Sequence, residues 1–474
     1  MARGALITAA VATLFLSVGI GGGSHMDSDD TLYAQIAREM VQSGDWIDTT
    51  WGGVVVFEKP PLVFWSLGLA GAAGDWAEGP LRVPGAAFAI LGLVALWLLG
   101  RRLGLEPGAA WLACGLVCGS WLFLMLTRRL MTDVPMVSCV LIAAAALAHN
   151  KTRWFGAMCG LAVLAKGPGA APPILALVAW GLGTRRLNVR SLAVATGLGL
   201  LVAAPWHLAM TARHGTEFWS GYVGYHVGAR ATSNVVPGLT FGQLLDVVAQ
   251  ERLLLGLALL GLVMLVLRRA ARPLDRFVLV WLAIACLPPF LMTTRLPQYL
   301  LPLIPALALL AAGAVPTDAW RHRLAPLVAG AVVLAAFFAH ADKLSYWLSP
   351  DFGPHKKALG QAVAEASAPS DQRVAWNLTS NALTFYGGGE RWTMVGADPR
   401  FYAIQDTVLA IQRAGVLAQS LPRPIPGARR FVVARAVDVP SVAAALGTGR
   451  VLSRVVAGPL VLVNDAGMGQ PLSP

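Results

Sequence analysis

Long apolar stretches alternate with short polar segments over the first 340 residues of the chain. A helix that crosses the hydrocarbon core of a bilayer needs about 20 predominantly apolar residues, and most of these stretches approach that length. The pattern predicts an all-α polytopic membrane domain with about eleven transmembrane helices, at residues 5–22, 82–100, 108–126, 134–148, 154–168, 170–183, 191–210, 252–267, 277–292, 298–315 and 324–340.

The first apolar run, Leu6–Ile20, also has the length of a signal-peptide core. It lacks a convincing small-x-small cleavage pattern before the acidic residues that follow, so we interpret it as a retained first span. Residues 341–474 are less apolar, and their pattern of short apolar runs and turn residues predicts a small α/β domain. Within it we expect strands at Arg373–Trp376 and Arg430–Val433, a helix at Asp406–Ala418, and a turn at Tyr386-Gly387-Gly388-Gly389.

The composition agrees with a membrane protein. Of the 474 residues, 56% are hydrophobic and 13% are charged, whereas soluble domains carry about 25% charged residues. The net charge of +12 does not indicate a nucleic-acid partner, because much of it sits in short loops between apolar runs. We interpret the cysteines as small core side chains rather than disulfide or metal partners, since all five lie in apolar segments, at Cys114, Cys118, Cys139, Cys159 and Cys286.

Charge is distributed unequally between alternate loops. With a cytoplasmic N-terminus, the inner loops contain fourteen basic and three acidic residues, whereas the first outer loop, residues 23–81, contains two basic and nine acidic residues. Loops rich in lysine and arginine stay in the cytoplasm. We therefore predict a protein of the cytoplasmic (inner) membrane with its N-terminus inside, and an odd number of spans places residues 341–474 outside.

Ionisable side chains collect on the outer side of this predicted topology. Charged groups at membrane level are costly and usually mark function. Cations hold a phosphate and a carboxylate activates an acceptor, so such a site suits an anionic substrate with a lipid tail. The residues at outer helix ends or in outer loops are Asp29, Asp30, Lys59, Arg128, Arg129, Asp133, Lys166 and Arg295.

Several motifs follow one another in a fixed order between residues 27 and 310. They are Asp29-Asp30-x-x-Tyr33-Ala34, Arg38-Glu39-Met40, Gly44-Asp45-Trp46, Lys59-Pro60-Pro61-Leu62, Arg128-Arg129 with Asp133, Lys166-Gly167-Pro168, Pro205-Trp206 with His226 and Arg230, and Leu296-Pro297-Gln298-Tyr299. The ordered set resembles the superfamily of protein O-mannosyltransferases and aminoarabinose transferases. These are membrane glycosyltransferases of the C-type fold that use polyprenyl-phosphate-linked sugars.

The resemblance implies transfer of a sugar from a polyprenyl-phosphate donor to a lipid, glycan or protein acceptor, with inversion at the anomeric carbon. It implies catalytic roles for Asp29, as general base, and for Asp30 and Asp133. A divalent cation at Asp29 and Asp30 is compatible with the residue types, although the spacing does not demand one. The remaining implied contacts are donor-phosphate binding by Lys59, Arg128, Arg129, Lys166, Arg295 and Tyr299, and substrate binding by Tyr33, His226 and Arg230.

Simpler structural interpretations exist for several of these residues. Asp29, Asp30 or Asp133 can act only as a helix N-cap, and Lys59 can extend its charge to the membrane surface from an apolar segment. Tyr299 can belong to the interfacial aromatic belt, and His226 can be structural.

Two positions depart from the family's pattern: Asp30 stands where Glu is common, and Leu32 stands where aminoarabinose transferases carry Arg. The second departure argues against aminoarabinose as the transferred sugar.

A flippase or transporter of lipid-linked sugars is the alternative from a different functional class. It would place charges along a path through the membrane midplane, whereas here they collect at outer helix ends. A lipid-carrier phosphatase or ligase would share the substrate, but it should contain a nucleophilic or acid–base histidine motif that we do not find in the sequence.

Overall fold

A computed structural model describes residues 1–57, 59–229, 238–267, 272–315, 325–339, 342–378, 380–389, 392–396, 417–418, 420–423, 425–446, 452–455 and 460–464. The chain divides into two compact units. The membrane unit comprises Met1–Gly21, Lys59–Ser66 and Arg82–Pro350, and the loop-and-sheet unit comprises Gly22–Glu58, Leu67–Leu81 and Asp351–Pro474. The second unit therefore groups most of the loop 23–81 with the C-terminal residues. The domain division predicted from the sequence, with this loop assigned to residues 1–340, stays a prediction.

The described part of the membrane unit is mostly helical, because a backbone in lipid must satisfy its own hydrogen bonds. The helices of both units, in chain order, are α1 (Ala2–Ser17), α2 (Asp29–Ser43), α3 (Leu62–Ala73), α4 (Glu78–Arg102), α5 (Pro107–Gly119), α6 (Trp121–Thr127), α7 (Asp133–Ala148), α8 (Thr152–Lys166), α9 (Ala171–Gly183), α10 (Val189–Trp219), α11 (Phe241–Ala249), α12 (Arg252–Leu267), α13 (Pro273–Ile284), α14 (Pro288–Leu291), α15 (Leu303–Ala314), α16 (Ala325–Phe338), α17 (Lys343–Leu348), α18 (Pro354–Ala366), α19 (Asn381–Tyr386) and α20 (Val439–Leu446). Short 3₁₀ turns cover Gly167–Ala170, Pro297–Leu300 and Ala436–Asp438, and a π-helix covers Ser220–Ala229.

The number of spans that length and apolarity support is smaller than the predicted number. Five helical stretches among the described residues can cross a membrane by these criteria, or up to seven if each of two bent pairs is one span. The bent pairs are α5 with α6, at 69°, and α11 with α12, at 87°. The protein is thus a mostly helical, multi-pass membrane protein. Each of the eleven predicted segments overlaps at least one helix, but the figure of about eleven spans is not confirmed.

Hydrogen bonds at helix ends show how neighbouring helices alternate in direction. The carbonyl of Ala148, at the end of α7, accepts from Arg102 Nε (3.1 Å) at the end of α4 and from Arg186 Nη1 (2.7 Å) just after α9. Since α8 starts near this carbonyl and α9 ends near it, the two helices run in opposite directions. Arg272, just before α13, donates to the Gly313 carbonyl in α15 (2.8 Å). These cations contact carbonyls at or near helix C-termini, where the helix dipole favours positive charge.

Glycines in α8 allow this helix to pack closely against α10. A Cβ at position 156 would lie 2.2 Å from the carbonyl oxygen of Ala195, and a Cβ at position 160 would lie 2.6 Å from that of Gly199. Small residues four positions apart let membrane helices approach until their backbones touch. The contact fixes α8, and with it the lysine at its C-terminal end, Lys166.

The loop-and-sheet unit combines α2, a hairpin and a mixed sheet. The hairpin pairs β1 (Thr50–Trp51) with β2 (Val54–Val55). The sheet has the order β5-β4-β3-β6-β8-β7, in which β5, β4, β3 and β6 are parallel and β8 is antiparallel to both of its neighbours. The sheet strands are β3 (Gln372–Trp376), β4 (Thr393–Val395), β5 (Leu417–Ala418), β6 (Arg430–Arg435), β7 (Leu452–Val455) and β8 (Leu460–Asn464).

The two predicted C-terminal strands are confirmed as β3 and β6. The core of this unit contains the inward-facing valines of both strands, Val374 and Val432, which are 0% exposed. The predicted helix at Asp406–Ala418 lies outside the described residues, except for Leu417–Ala418, which form strand β5.

Candidate active site

Lys166 brings three separate segments of the membrane unit together. It ends α8, and its ammonium contacts the carboxylate of Asp133, the first residue of α7. The ammonium nitrogen also lies 5.0 Å from the ring centroid of Tyr299, in the 3₁₀ turn before α15. The side chains of Lys166 and Asp133 are 11% and 2% exposed. A lysine buried to this degree needs a compensating charge, which Asp133 supplies.

The segment after Lys166 makes room for its side chain. A Cβ at Gly169 would lie 3.1 Å from Lys166 Cγ, so the lysine stem passes directly over this glycine. Gly167 has φ +58°, in the left-handed region that glycine tolerates best, and ends α8. An ammonium has three N–H donors. The contact with Asp133 uses one of them, so the group retains the capacity to bind a phosphate oxygen.

Tyr222 lies against the same turn and was not singled out from the sequence. A Cβ at Gly167 would come 2.1 Å from the Tyr222 hydroxyl oxygen, which places this hydroxyl against the backbone next to Lys166. Tyr222 Oη lies 3.1 Å from His207 Nε2, and His207 Nδ1 lies 2.8 Å from the Ala203 carbonyl oxygen. Because a carbonyl only accepts, the network assigns the proton to Nδ1, and the tyrosine hydroxyl then donates to Nε2.

Aromatic side chains surround this hydrogen-bonded pair. The Tyr222 ring stacks on Phe218 with 5.0 Å between centroids, and Trp206 meets the ring of His207 edge-on at 5.0 Å. The sequence feature that could have indicated this aromatic group is the run of aromatic residues after Pro205-Trp206. Its connection to the Lys166-Gly167 turn depends on the fold.

Arg128 has a different environment from Lys166. It is 1% exposed, and its two Nη atoms donate to the carbonyls of Leu16 (2.8 Å) and Val18. Arg82, 0% exposed, donates to the carbonyls of Ile20 (3.0 Å), Arg128 (3.2 Å) and Pro350 (3.2 Å). The two arginines therefore satisfy carbonyls of the chain where α1 ends. Arg82 lies in the predicted span 82–100, and its position in the sequence does not indicate this role.

The other predicted phosphate ligands of the membrane unit lie in loops or turns. Arg129 is half-buried between α6 and α7, and Lys59 is half-buried just before α3. The Arg295 guanidinium lies 5.9 Å from the Phe241 ring centroid, and the Arg295 carbonyl accepts from the Leu239 amide (2.7 Å). Their binding of a phosphate stays a prediction.

The loop-and-sheet unit contains the predicted catalytic pair Asp29 and Asp30. They are the first two residues of α2, as predicted, and Ser28 occupies the N-cap position, so neither aspartate is the N-cap residue. Asp29 is half-buried, whereas Asp30 and Tyr33 are 0% and 1% exposed. Carboxylates in a first turn are stabilised by the positive end of the helix dipole. The union of Asp29 with Lys59 and Lys166 in one site stays a prediction.

Two predicted substrate-binding residues cannot be placed. Arg230 and the side chain of His226 lie outside the described residues. In the part of the chain that the structure describes, no three histidine, cysteine, aspartate or glutamate side chains form a metal-binding group. A divalent cation at Asp29 and Asp30 stays a prediction.

The sequence and the fold are similar to those of known membrane glycosyltransferases. A family model described as dolichyl-phosphate-mannose-protein mannosyltransferase matches residues 58–208. The undecaprenyl phosphate-alpha-4-amino-4-deoxy-L-arabinose arabinosyl transferase of Edwardsiella ictaluri is 30% identical over 329 residues, which cover 64% of this chain and 57% of the relative. Residues 58–208 are thus similar to protein mannosyltransferases, and 64% of the chain is similar in sequence to an aminoarabinose transferase.

A second relative and a solved structure are also similar to the chain. The enzyme of the same name from Pseudomonas savastanoi pv. phaseolicola is 27% identical, over 66% of this chain and 61% of its own length. The chain spans about three fifths of the length of these curated relatives. The crystal structure of ArnT from Cupriavidus metallidurans bound to undecaprenyl phosphate matches 98% of both chains with a TM-score of 0.75 and 20% identity, so the two proteins share a fold.

Proposed function

We propose that the protein transfers a sugar from an undecaprenyl-phosphate donor to a lipopolysaccharide or another cell-envelope glycan on the outer face of the cytoplasmic membrane. We also propose that the chain crosses the membrane about eleven times, with its N-terminus in the cytoplasm and residues 341–474 outside. The observation that carries it is the Lys166 ammonium, held at a helix end between Asp133 and Tyr299 within the Lys-Gly-Pro motif of the superfamily.

The location of the Lys166 cluster fits phosphate binding at one side of the membrane. Lys166 is at the end of α8 remote from Ala148, whereas Arg102 and Arg186 both bind the Ala148 carbonyl. The loops that carry Arg102 and Arg186 are those predicted to be cytoplasmic, and the same alternation supports an outer position for Lys166. A charge cluster confined to one side suits a transferase better than a transport path through the midplane.

The reaction is a single displacement. The acceptor hydroxyl or amine gives its proton to the Asp29 carboxylate while its oxygen or nitrogen forms a bond to the anomeric carbon. The bond between that carbon and the donor phosphate oxygen breaks, and undecaprenyl phosphate leaves with the bonding electrons. Lys166, Lys59 and Arg129 stabilise the charge that develops on the leaving phosphate. Attack opposite the leaving group inverts the anomeric configuration.

The donor sugar to test first is 4-amino-4-deoxy-L-arabinose, which the relatives' names specify. Leu32 replaces the arginine that resemblance to aminoarabinose transferases leads us to expect, so an undecaprenyl-phosphate-linked hexose is the second donor. Purified protein in lipid nanodiscs is incubated with each donor and lipid A, and the product is identified by mass spectrometry. Sugar movement across liposomes without transfer to any acceptor would instead favour a flippase.

The substitution Asp29→Asn tests the proposed general base. We expect transfer to fall by about 10²–10⁴-fold, because an amide cannot take the acceptor proton. The matched control is Asp45→Asn, which removes a carboxylate from the same loop but keeps an oxygen to accept from the Ile47 amide (2.9 Å). Transfer by Asp29→Asn at the rate of this control would remove Asp29 from the catalytic role.

A further inference from the structure

The residues immediately before Asp29 are bound to the C-terminal part of the loop-and-sheet unit. The Asp27 carboxylate contacts the Lys356 ammonium of α18 through Oδ2 and accepts from the Ala382 amide of α19 through Oδ1 (2.8 Å). The Ser28 carbonyl accepts from Asn381 Nδ2 (3.4 Å). Two helices from the C-terminal residues thus hold the two positions that precede the proposed base.

The chain just before Asp27 is held in the same way. The His25 amide donates to the Tyr386 hydroxyl (2.7 Å), and the Ser24 amide donates to Asp351 Oδ1 (3.0 Å). The Gly353 amide donates in turn to the Ser24 hydroxyl (2.7 Å). Ser24 and His25 are both 0% exposed. These bonds leave the segment 24–28 little freedom to move independently of residues 351–386.

Helix α2 also docks along its length. Arg38 Nη1 donates to the Phe385 carbonyl (2.7 Å), and its guanidinium lies 4.4 Å from the Phe385 ring centroid. Gln35 Nε2 donates to the Gly389 carbonyl (3.3 Å). A Cβ at Gly389, where φ is +80°, would lie 3.0 Å from Arg38 Cδ, so the glycine turn at 387–389 is what allows this close approach. Burial lowers the pKa of the Arg38 guanidinium to about 10, and the Asp75 charge opposes this shift.

We propose that residues 351–389 form a positioning element for Asp29, with Lys356 acting through Asp27 as the main positioning residue. The contacts fix both the chain that enters α2 and the body of the helix, so they determine the direction of its first turn. A general base must lie within hydrogen-bond reach of the acceptor, and a displacement of about 1 Å can lower the rate about a hundredfold. The inference rests on the proposed function only through the role of Asp29.

The substitution Lys356→Met tests the positioning role with two separate measurements. Hydrogen–deuterium exchange of the peptide covering residues 24–36 should become faster, because Asp27 loses its partner on α18. With the donor identified under the proposed function, kcat should fall by about ten- to a hundredfold while the donor KM stays within about twofold, since a misplaced base affects the chemical step. Lys356→Arg should restore both quantities.

The matched control is Arg429→Met. It breaks another ion pair of the same unit, between Arg429 and Asp371 (2.7 Å), with side-chain exposures of 28% and 3%, against 29% and 10% for Lys356 and Asp27. It should lower thermal stability without accelerating exchange in residues 24–36. Unchanged exchange in Lys356→Met, or equal acceleration in the control, would overturn the positioning element.

Failure of this inference is distinguishable from failure of the proposed function. Full transfer by Asp29→Asn would refute the general base while the exchange of residues 24–36 still reports whether Lys356 holds the segment. Conversely, suppose that residues 24–36 exchange at the wild-type rate in Lys356→Met and that Asp29→Asn is inactive. This result would retain Asp29 as the general base and reject the positioning element. Wild-type kcat in Lys356→Met despite faster exchange would also reject it.

Discussion

Arg128 and Lys166 are both buried cations of the membrane unit, and both match motifs of the superfamily, but their partners differ in kind. Arg128 donates to two backbone carbonyls at the end of α1. Lys166 contacts a carboxylate and faces an aromatic ring. The Leu16 and Val18 carbonyls use Arg128 as their hydrogen-bond donor, so its guanidinium is committed to the backbone. The Asp133 carboxylate, in contrast, can keep Lys166 oriented while a phosphate approaches.

Charge at a helix end is therefore not sufficient to identify a ligand-binding cation. A buried guanidinium that satisfies carbonyls contributes to folding, because each buried carbonyl without a donor costs about 1–3 kcal/mol. A buried ammonium beside one carboxylate contributes less to folding and remains able to bind an anion. We therefore favour Arg129 over Arg128 as the phosphate ligand of the Arg-Arg pair.

The largest expected effect is on stability, in Arg128→Met. The substitution leaves the Leu16 and Val18 carbonyls without their donor, at about 1–3 kcal/mol each. We expect a clear fall in the Tm of the purified protein in detergent, with the donor KM of the folded fraction unchanged. Arg129→Met is the neighbouring control and should raise the donor KM. Equal Tm values together with a raised donor KM in Arg128→Met would reverse our distinction between the two arginines.

The next largest effect is on catalysis, in Lys166→Met. Loss of one preorganised cation that stabilises the leaving phosphate should lower kcat/KM by about 10²–10³-fold. Lys343→Met is the control, because Lys343 is also a buried lysine of the membrane unit but donates to the carbonyls of Gly119 (2.5 Å) and Ala336 (2.9 Å). The control should lose stability and keep its activity per folded molecule. If the two variants lose activity equally, Lys166 has no special function.

Most helices of the membrane unit could be predicted because an apolar run long enough to enter a membrane has few conformations other than a helix. The predicted segment 252–267 has the same bounds as α12. Bends could not be predicted in the same way. At Ser120, where α5 ends and α6 begins, the hydroxyl and the Leu122 amide both donate to Glu251 Oε1 (2.9 and 3.0 Å), and this partner is distant in the sequence.

Individual ionisable residues of the site could be predicted better than their partners. The pattern singled out Lys166 and Asp133, and they are in contact. It could not distinguish Arg128 from Arg129, because a backbone carbonyl that accepts a hydrogen bond leaves no trace in the sequence. In the sequence, Asp27 is only one of the nine acidic residues of the first outer loop. Its importance follows from Lys356, which the chain brings to it from 329 positions away.

Tyr222→Phe, next to the turn that follows Lys166, should have the weakest effect of these substitutions. Removing the hydroxyl deletes the hydrogen bond to His207 and loosens the support of Gly167, next to Lys166. One such bond is worth about 1 kcal/mol, so kcat/KM should fall by about five- to tenfold. Tyr346→Phe is the control, because the Tyr346 hydroxyl donates to the Met125 carbonyl (3.1 Å). The two variants should lose similar thermal stability, and only Tyr222→Phe should lose activity. A loss of stability without loss of activity in Tyr222→Phe would show that Lys166 keeps its orientation through Asp133 alone.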